Sequence, residues 1–239
     1  MPEIKFNAQE AFSNNPKAKS KGSKHVFVLM DESGSMLGLE EAVTTGCNEF
    51  IYSFAEDPDA KIWLAWFDHS PGQERTRFKV RGEVAADVKQ LGPGDYSPRG
   101  ATPLNDAIAD TVAALDASAG KDENVFLVII TDGHENASKH STESIRRLLS
   151  AREESGWGIV FLGANQNAAQ TAAEFGMVKP GRAFDFAATE MNVRMSMRNL
   201  SGIAKMRVDK SAGQAGRDLY DKEVAAEYMR RGGRIDGDE

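Results

Sequence analysis

The chain has 239 residues, and the 41% that are hydrophobic are enough to bury the core of one domain with extensions. Its net charge of −7 argues against non-specific binding to nucleic acid, and its single cysteine excludes an internal disulfide bond. There is no secretory signal and no apolar stretch near the roughly 20 residues that cross a bilayer, so we expect a cytoplasmic protein.

Segments with strand and helix patterns alternate along most of the chain. We expect a polar, flexible leader over residues 1–22, one domain over residues 23–210, and a helical, acidic tail over residues 211–239. Apolar runs, with one alternating run, predict strands at 25–30, 61–67, 75–81, 124–130, 158–162 and 184–187. Helices are predicted between and after them, at 39–55, 103–119, 142–154, 166–175, 189–208 and, weakly, 217–230.

This alternation predicts an α/β fold of the doubly wound, Rossmann-like kind, with a mostly parallel central sheet and helices on both faces. The alternating segment at 75–81 follows Pro71-Gly72, so we expect it to form one antiparallel edge strand. In such sheets, ligands bind outside the carboxyl ends of the strands, near the point where the strand order reverses. Two predicted strands end in acids there, at Asp31 and Asp132.

Oxygen-bearing side chains cluster around these strand ends. The segment after the first strand reads Asp31-x-Ser33-x-Ser35, which places one charged and two compact neutral donors in a short loop. Thr102 precedes Pro103, and because proline suits the first position of a helix, we expect Thr102 to be the N-cap. Together with the aspartate that ends the later strand, these side chains suit a hard divalent cation.

This set resembles the metal-ion-dependent adhesion site of von Willebrand factor type A (VWA) domains, whose pattern is D-x-S-x-S, a distant threonine and a distant strand-end aspartate. Short stand-alone bacterial and phage members are similar in further segments, here GATPL, TDG and FLGANQ. The resemblance covers residues 24 to about 190. It implies that Ser33, Ser35 and Thr102 contact a metal ion, while Asp31 and Asp132 hold its water molecules. Mg²⁺ is the expected ion because it prefers octahedral oxygen ligands and keeps several waters, with Mn²⁺ or Ca²⁺ as alternatives.

The sequence contains no Walker A loop, no nucleophile elbow and no Cys-His or Ser-His set at a recognisable spacing. We therefore expect a protein-binding module rather than an enzyme. The resemblance implies capture of an exposed Asp or Glu of a partner protein, with an AAA+ ATPase or an assembly complex as candidate partner, and without nucleic acid or membrane. Two alternatives stay open. One is a Mg²⁺-dependent phosphatase or hydrolase, which Ser33 disfavours because it stands where a second acid is needed; the other is a structural protein that self-assembles through the metal.

Several neighbouring residues have simpler interpretations. We expect Glu32 to point away from the cation, and the resemblance assigns Asp68 no metal role. Cys47 lies on an apolar helical stripe and is interpreted as a core residue. His134 and Glu135 are candidate contacts of a partner at the rim of the site. The methionine-rich helix at 189–208 is predicted to pack on the sheet through one apolar stripe, formed by Val193, Met197, Leu200 and Ala204.

Overall fold

A computed structural model describes residues 23–119, 124–132, 134–164, 168–176, 183–186 and 189–208. Its central sheet has six strands in the order β3-β2-β1-β4-β5-β6. Every neighbouring pair is parallel except β2 and β3, which are antiparallel. The strands are β1 (Lys24–Asp31), β2 (Ala60–Phe67), β3 (Thr76–Val84), β4 (Asn124–Thr131), β5 (Gly158–Ala164) and β6 (Ala183–Phe186). The prediction of a mostly parallel sheet with one antiparallel edge strand is confirmed.

The helices lie close to their predicted positions. They are α1 (Glu40–Tyr52), α2 (Leu104–Ser118), α3 (Thr142–Glu154), α4 (Ala168–Glu174) and α5 (Glu190–Val208), with short 3₁₀ turns at Gly34–Met36 and Ala85–Asp87. In α1 the helix ends three residues early, where the Ser53 hydroxyl donates to the Phe50 carbonyl over 2.7 Å. None of the helices described is both long and apolar enough to span a membrane. The predicted leader, the tail and its weak helix lie outside the described residues, so the domain boundaries stay predictions.

Helices cover both faces of the sheet, as predicted. Along β1, Val26, Val28 and Met30 are buried in one core layer, and Phe27 and Leu29 are buried in the other. The first layer also contains α1 and α5, whereas the second contains α2, α3 and α4. A strand buried on both faces has no polar side to expose, which is why the run at 25–30 is continuously apolar.

The methionine-rich helix α5 packs as predicted. Its stripe is buried in the same layer as α1, through Val193, Met197, Leu200 and Ala204. Cys47 of α1 is also buried in this layer, at 1% exposure. The two helices come close at Gly46, where an added Cβ would lie 3.0 Å from Met197 Cγ. Arg194 of α5 donates to the Glu49 carboxylate of α1 over 2.5 Å, which adds an ion pair outside the apolar contact.

The outermost strand β3 pairs irregularly with β2. The register shifts between Ile62 and Trp63 and again between Leu64 and Ala65. Gly82 lies beside the first shift with a φ of +69°, and a Cβ there would be 2.8 Å from the ring of Trp63. A side chain at this position is therefore excluded both by the backbone conformation and by the indole.

The strand order reverses at β1, which pairs with β2 on one side and with β4 on the other. The registers align the carboxyl ends of these strands, since Asp31 lies opposite Phe67 and Met30 lies opposite Ile130. This edge is the crevice in which open α/β sheets bind their ligands. The two predicted strand-end aspartates are both placed at it.

Candidate functional site

Three loops meet at this edge: the first loop (residues 31–35), the second loop (97–103) and the third loop (132 and 134–140). In the first loop, Asp31 is completely buried. One carboxylate oxygen accepts the Ser33 backbone N–H over 2.8 Å, and the other accepts the Thr131 hydroxyl over 2.6 Å. Burial raises the pKa of Asp31 to about 6, against the opposing effect of these hydrogen bonds. The carboxylate is therefore fixed in direction and costly to ionise.

Hydroxyl groups connect the first loop to the third. The hydroxyl oxygens of Ser33 and Ser35 are 3.1 Å apart, and the Ser35 hydroxyl donates to the Asp132 carboxylate over 2.6 Å. Partial burial raises the pKa of Asp132, and the Ser35 hydrogen bond opposes that rise. Four of the five predicted site residues, Asp31, Ser33, Ser35 and Asp132, thus form one hydrogen-bonded group.

The fifth residue, Thr102, is held at the same edge by its backbone. Its N–H donates to the Asn136 side-chain oxygen over 2.9 Å, and its carbonyl accepts the Asn136 N–H over 3.2 Å. The preceding Ala101 exchanges two backbone hydrogen bonds with His69. The second loop touches the first where the Gly34 N–H donates to the Gly100 carbonyl over 3.2 Å. The loops that carry the five residues are therefore in direct contact.

Gly100 is required by this arrangement. Its φ is +68°, and an added Cβ would lie 2.3 Å from the His69 carbonyl oxygen. No other residue type fits, because the clash is with backbone and cannot be relieved by a rotamer change. The glycine of the GATPL segment thus allows the second loop to pack closely against His69, just after the end of β2.

The prediction that Thr102 caps helix α2 is wrong. The helix begins at Leu104, so the cap position is Pro103, which has no side-chain hydrogen bond to offer. The N–H of Asn105 donates instead to the Glu135 carboxylate over 2.8 Å. The same carboxylate accepts the N–H groups of Ala137 and Ser138 over 2.8 and 2.7 Å. Glu135 is turned toward α2 and away from the predicted rim, whereas the His134 side chain is exposed.

Asp106 of α2 holds the C-terminal end of the third loop by hydrogen bonds. It accepts the backbone N–H groups of Lys139 and His140, over 3.0 and 2.9 Å, and lies 2.7 Å from the His140 ring nitrogen Nδ1. Burial opposes ionisation of Asp106, but these hydrogen bonds and one from Arg75 hold its pKa below the ordinary value.

An open groove of about 560 Å³ runs past Arg75, Asp106 and His140 and contains none of the five predicted residues. We assign it no function.

Four charged residues lie beside the site, and their contacts with one another were not predicted from the sequence. Glu32 and Asp68 have side-chain exposures of 3% and 0%, and the Arg77 guanidinium contacts both carboxylates. The Arg99 Nε atom lies 3.6 Å from Asp68. We call Glu32, Asp68, Arg77 and Arg99 the charged cluster. A usable signal was present: Glu32 and Asp68 each come directly after an apolar strand, and an acid that is buried there needs a charged or hydrogen-bonding partner.

Two further contacts orient Asp31 and were also missed. The Thr131 hydroxyl reaches its carboxylate, and the Tyr96 hydroxyl donates to its backbone carbonyl. Thr131 could have been found as the polar last residue of an otherwise apolar strand. Tyr96 lies 65 residues away in a glycine-rich loop, and no pattern pairs it with Asp31.

The donor set fits a hexacoordinate cation. Ligand oxygens lie about 2.0–2.1 Å from Mg²⁺, so neighbouring ligands of an octahedron are about 3.0 Å apart. The hydroxyl oxygens of Ser33 and Ser35 have that spacing, at 3.1 Å. Within the described residues, no three or more His, Cys, Asp or Glu side chains gather as a metal site. The contact of a cation with Ser33, Ser35 and Thr102, and the role of Asp31 and Asp132 in holding its water molecules, stay predictions.

No family model matches the chain, and no curated protein sequence matches it significantly. Solved structures share its fold. The pilus adhesin SpaC from Lactobacillus rhamnosus GG has a TM-score of 0.63 at 16% identity, over 78% of this chain and 30% of the adhesin. A von Willebrand factor type A structure from Catenulispora acidiphila has a TM-score of 0.58 at 12% identity, over 77% of this chain and 43% of that one. The SpRpn10 VWA domain has a TM-score of 0.53 at 13% identity, over 74% of this chain and 95% of that domain.

These similarities establish the fold, which is that of VWA domains. At such identities they carry no residue roles. The chain spans less than a third of the adhesin, so what the whole adhesin does is not transferred. The resemblance inferred from the motifs is confirmed for the fold, while the metal site and the stand-alone character stay predictions.

Proposed function

We propose that this chain is a protein-binding module that captures an acidic side chain of a partner through a divalent cation at the candidate site. The observation that carries the proposal is the hydrogen-bonded group of two aspartates and two serines at the switch point of the sheet. The VWA fold supports it, because structures with this fold include one described as a pilus adhesin.

In this proposal Ser33, Ser35 and Thr102 hold the cation, and Asp31 and Asp132 orient its water molecules. The bound cation supplies positive charge to which an incoming carboxylate is attracted. The serine and threonine oxygens are neutral, so they reduce that charge less than carboxylate ligands would. Thr131 and the Ser33 N–H fix the Asp31 carboxylate, and Ser35 fixes that of Asp132. The site is thus ordered before a partner arrives.

We further propose that the module is not an enzyme, that it acts in the cytoplasm, and that Mg²⁺ is its ion, with Mn²⁺ or Ca²⁺ as substitutes. An AAA+ ATPase or an assembly complex with an exposed Asp or Glu is the proposed partner. Nucleic acid and membranes are not part of the proposal. The net charge of −7 supports the first of these exclusions.

The test is affinity capture from lysate with the full chain, in Mg²⁺ or in EDTA. Wild type is compared with Asp31→Ala and with the double variant Ser33→Ala/Ser35→Ala. The control is Ser155→Ala, which removes an exposed hydroxyl that bonds the Arg152 carbonyl, after α3 and before β5 begins. We expect wild type and the control to retain the same partners in Mg²⁺, and EDTA or either site variant to release them.

If identical proteins are captured in every condition, adhesion through a metal is wrong. The molecular mass of the purified chain, with and without EDTA, separates capture of a partner from self-association. A dimer or larger assembly that dissociates in EDTA would replace the foreign partner by a second copy.

A further inference from the structure

The charged cluster joins the ends of three strands. Glu32 follows β1, Asp68 follows β2, and Arg77 lies in β3. The Arg77 side chain is 20% exposed and reaches both carboxylates through its Nη2 atom. Its other terminal nitrogen donates to the Glu74 carbonyl over 2.9 Å. Arg77 therefore bridges two buried carboxylates at the ends of neighbouring strands.

Glu32 connects the first loop to the second. Its carbonyl accepts the Arg99 backbone N–H over 2.7 Å, and its carboxylate accepts the Ser97 backbone N–H. Its own N–H donates to the Phe67 carbonyl over 2.8 Å. A residue placed between Asp31 and Ser33 thus fixes the start of the loop that leads to Thr102.

Asp68 reaches the second loop by another route. The next residue, His69, exchanges backbone hydrogen bonds of 2.8 and 3.2 Å with Ala101. Ser70 donates its hydroxyl to the Asp68 carboxylate over 2.6 Å, which holds this turn in place. Both carboxylates bound by Arg77 therefore belong to segments that set the position of the second loop.

We propose that Arg77 is a positioning residue for the candidate cation site, and that it acts through Glu32 and Asp68 to hold the first and second loops together. The inference rests on the proposed function, which it extends to residues outside the five. The proposed role of Arg77 is to position the two loops, and it does not depend on the charge that Arg77 adds near the cation. Two arginines and two carboxylates cancel within the charged cluster, so the cluster adds no net charge beside the site.

An electrostatic role and a positioning role of Arg77 predict opposite changes in cation affinity when Arg77 is replaced. Removal of a positive charge near a cation site strengthens cation binding by simple electrostatics. Loss of a residue that positions the ligand loops weakens binding, and residues that support metal ligands typically contribute about 10- to 100-fold in affinity. The sign of the change therefore distinguishes the two roles.

The experiment is calorimetric titration of Mg²⁺ into the full chain, at a temperature where circular dichroism shows every variant folded. We expect Arg77→Met to weaken Mg²⁺ binding at least about tenfold, and Arg77→Lys, which keeps the positive charge but loses the planar fork of the guanidinium, to weaken it less than Arg77→Met does. The matched control is Lys79→Met, which removes an exposed lysine of the same strand. We expect the control to bind as tightly as wild type or slightly more tightly.

Glu32→Gln/Arg77→Met completes a double-variant cycle. Because the two side chains act as a unit, we expect the double variant to bind Mg²⁺ no more weakly than the weaker single variant. Unchanged or tighter binding by Arg77→Met overturns the inference. So does an equal loss in Lys79→Met, because the loss would then not depend on the contacts that Arg77 makes with Glu32 and Asp68.

A wild-type chain that does not bind Mg²⁺ overturns the proposed function instead. The positioning role is then read without metal, from the amide ¹H–¹⁵N shifts of Gly34 and Ser97, which donate to the second and first loops. We expect both shifts to move in Arg77→Met and to stay in place in Lys79→Met. Identical shifts in Arg77→Met and wild type contradict the positioning role in either case.

Discussion

The Asp31 carboxylate combines complete burial with two hydrogen bonds, and burial has the larger effect on its ionisation. Had the hydrogen bonds dominated, the pKa would have fallen. A carboxyl group whose pKa is higher in the folded than in the unfolded chain binds protons more tightly when folded. Folding is then favoured by acid and disfavoured as the pH rises, which is the reverse of the usual aspartate.

This sign leads to a prediction for the metal-free chain. Between the ordinary pKa of 3.8 and the raised value of about 6, we expect the contribution of Asp31 to the free energy of unfolding to fall as the pH rises, by on the order of 3 kcal/mol. Asp31→Asn removes this contribution, so between about pH 4 and 6 we expect its stability to decline less with rising pH than that of wild type. The exposed Asp59→Asn serves as control and should keep the wild-type slope. Urea unfolding in EDTA at a series of pH values measures both, and a wild-type slope in Asp31→Asn would contradict the assignment.

At the scale of elements, the start of α2 is completed by a residue from another part of the chain. Glu135 supplies the acceptor for Asn105, and Asp106 in turn accepts the backbone of Lys139 and His140. The two segments therefore stabilise one another. Local patterns predicted where α2 lies, because its apolar spacing is local, but they assigned its cap to Thr102, because no local pattern encodes a partner 30 residues away.

Replacement of Glu135 tests this mutual support. Glu135→Ala leaves the N–H groups of Asn105, Ala137 and Ser138 without their acceptor, and we expect it to lower the free energy of unfolding by about 1–3 kcal/mol. His134→Ala, an exposed neighbour in the same loop, should change it by less than about 0.5 kcal/mol. Urea unfolding compares the two. Equal stability in both variants would show that another group caps α2.

The same contrast between local patterns and distant contacts explains which other features of the fold and the site were predicted from the sequence. The strands and the sheet type followed from apolar runs and their alternation with helices, which burial on two faces imposes. The Asp31, Ser33 and Ser35 loop was found because its members are adjacent in sequence. The bond between Glu32 and Arg77 joins residues 45 positions apart and depends on the antiparallel turn of β3, so it was visible only in the fold.

For the whole molecule, the proposed function links cation binding to stability. A ligand that binds only the folded chain raises the free energy of unfolding by about 2.7 kcal/mol at a concentration 100 times its Kd. We expect Mg²⁺ to raise the melting temperature of wild type in a concentration-dependent way, and to have no such effect on Asp132→Ala. Differential scanning calorimetry over a Mg²⁺ series measures this. Equal shifts in wild type and Asp132→Ala would place binding elsewhere.

The irregular pairing of β3 has a consequence for the behaviour of the chain at high concentration. A long, flat outer strand would offer its unpaired backbone to another molecule and seed intermolecular sheets. Here two register shifts twist the strand, and its exposed side chains are the charged residues Lys79, Arg81 and Glu83. Both devices discourage lateral growth of the sheet. The strand that carries Arg77 into the charged cluster thus also disfavours pairing of this edge of the sheet with another molecule.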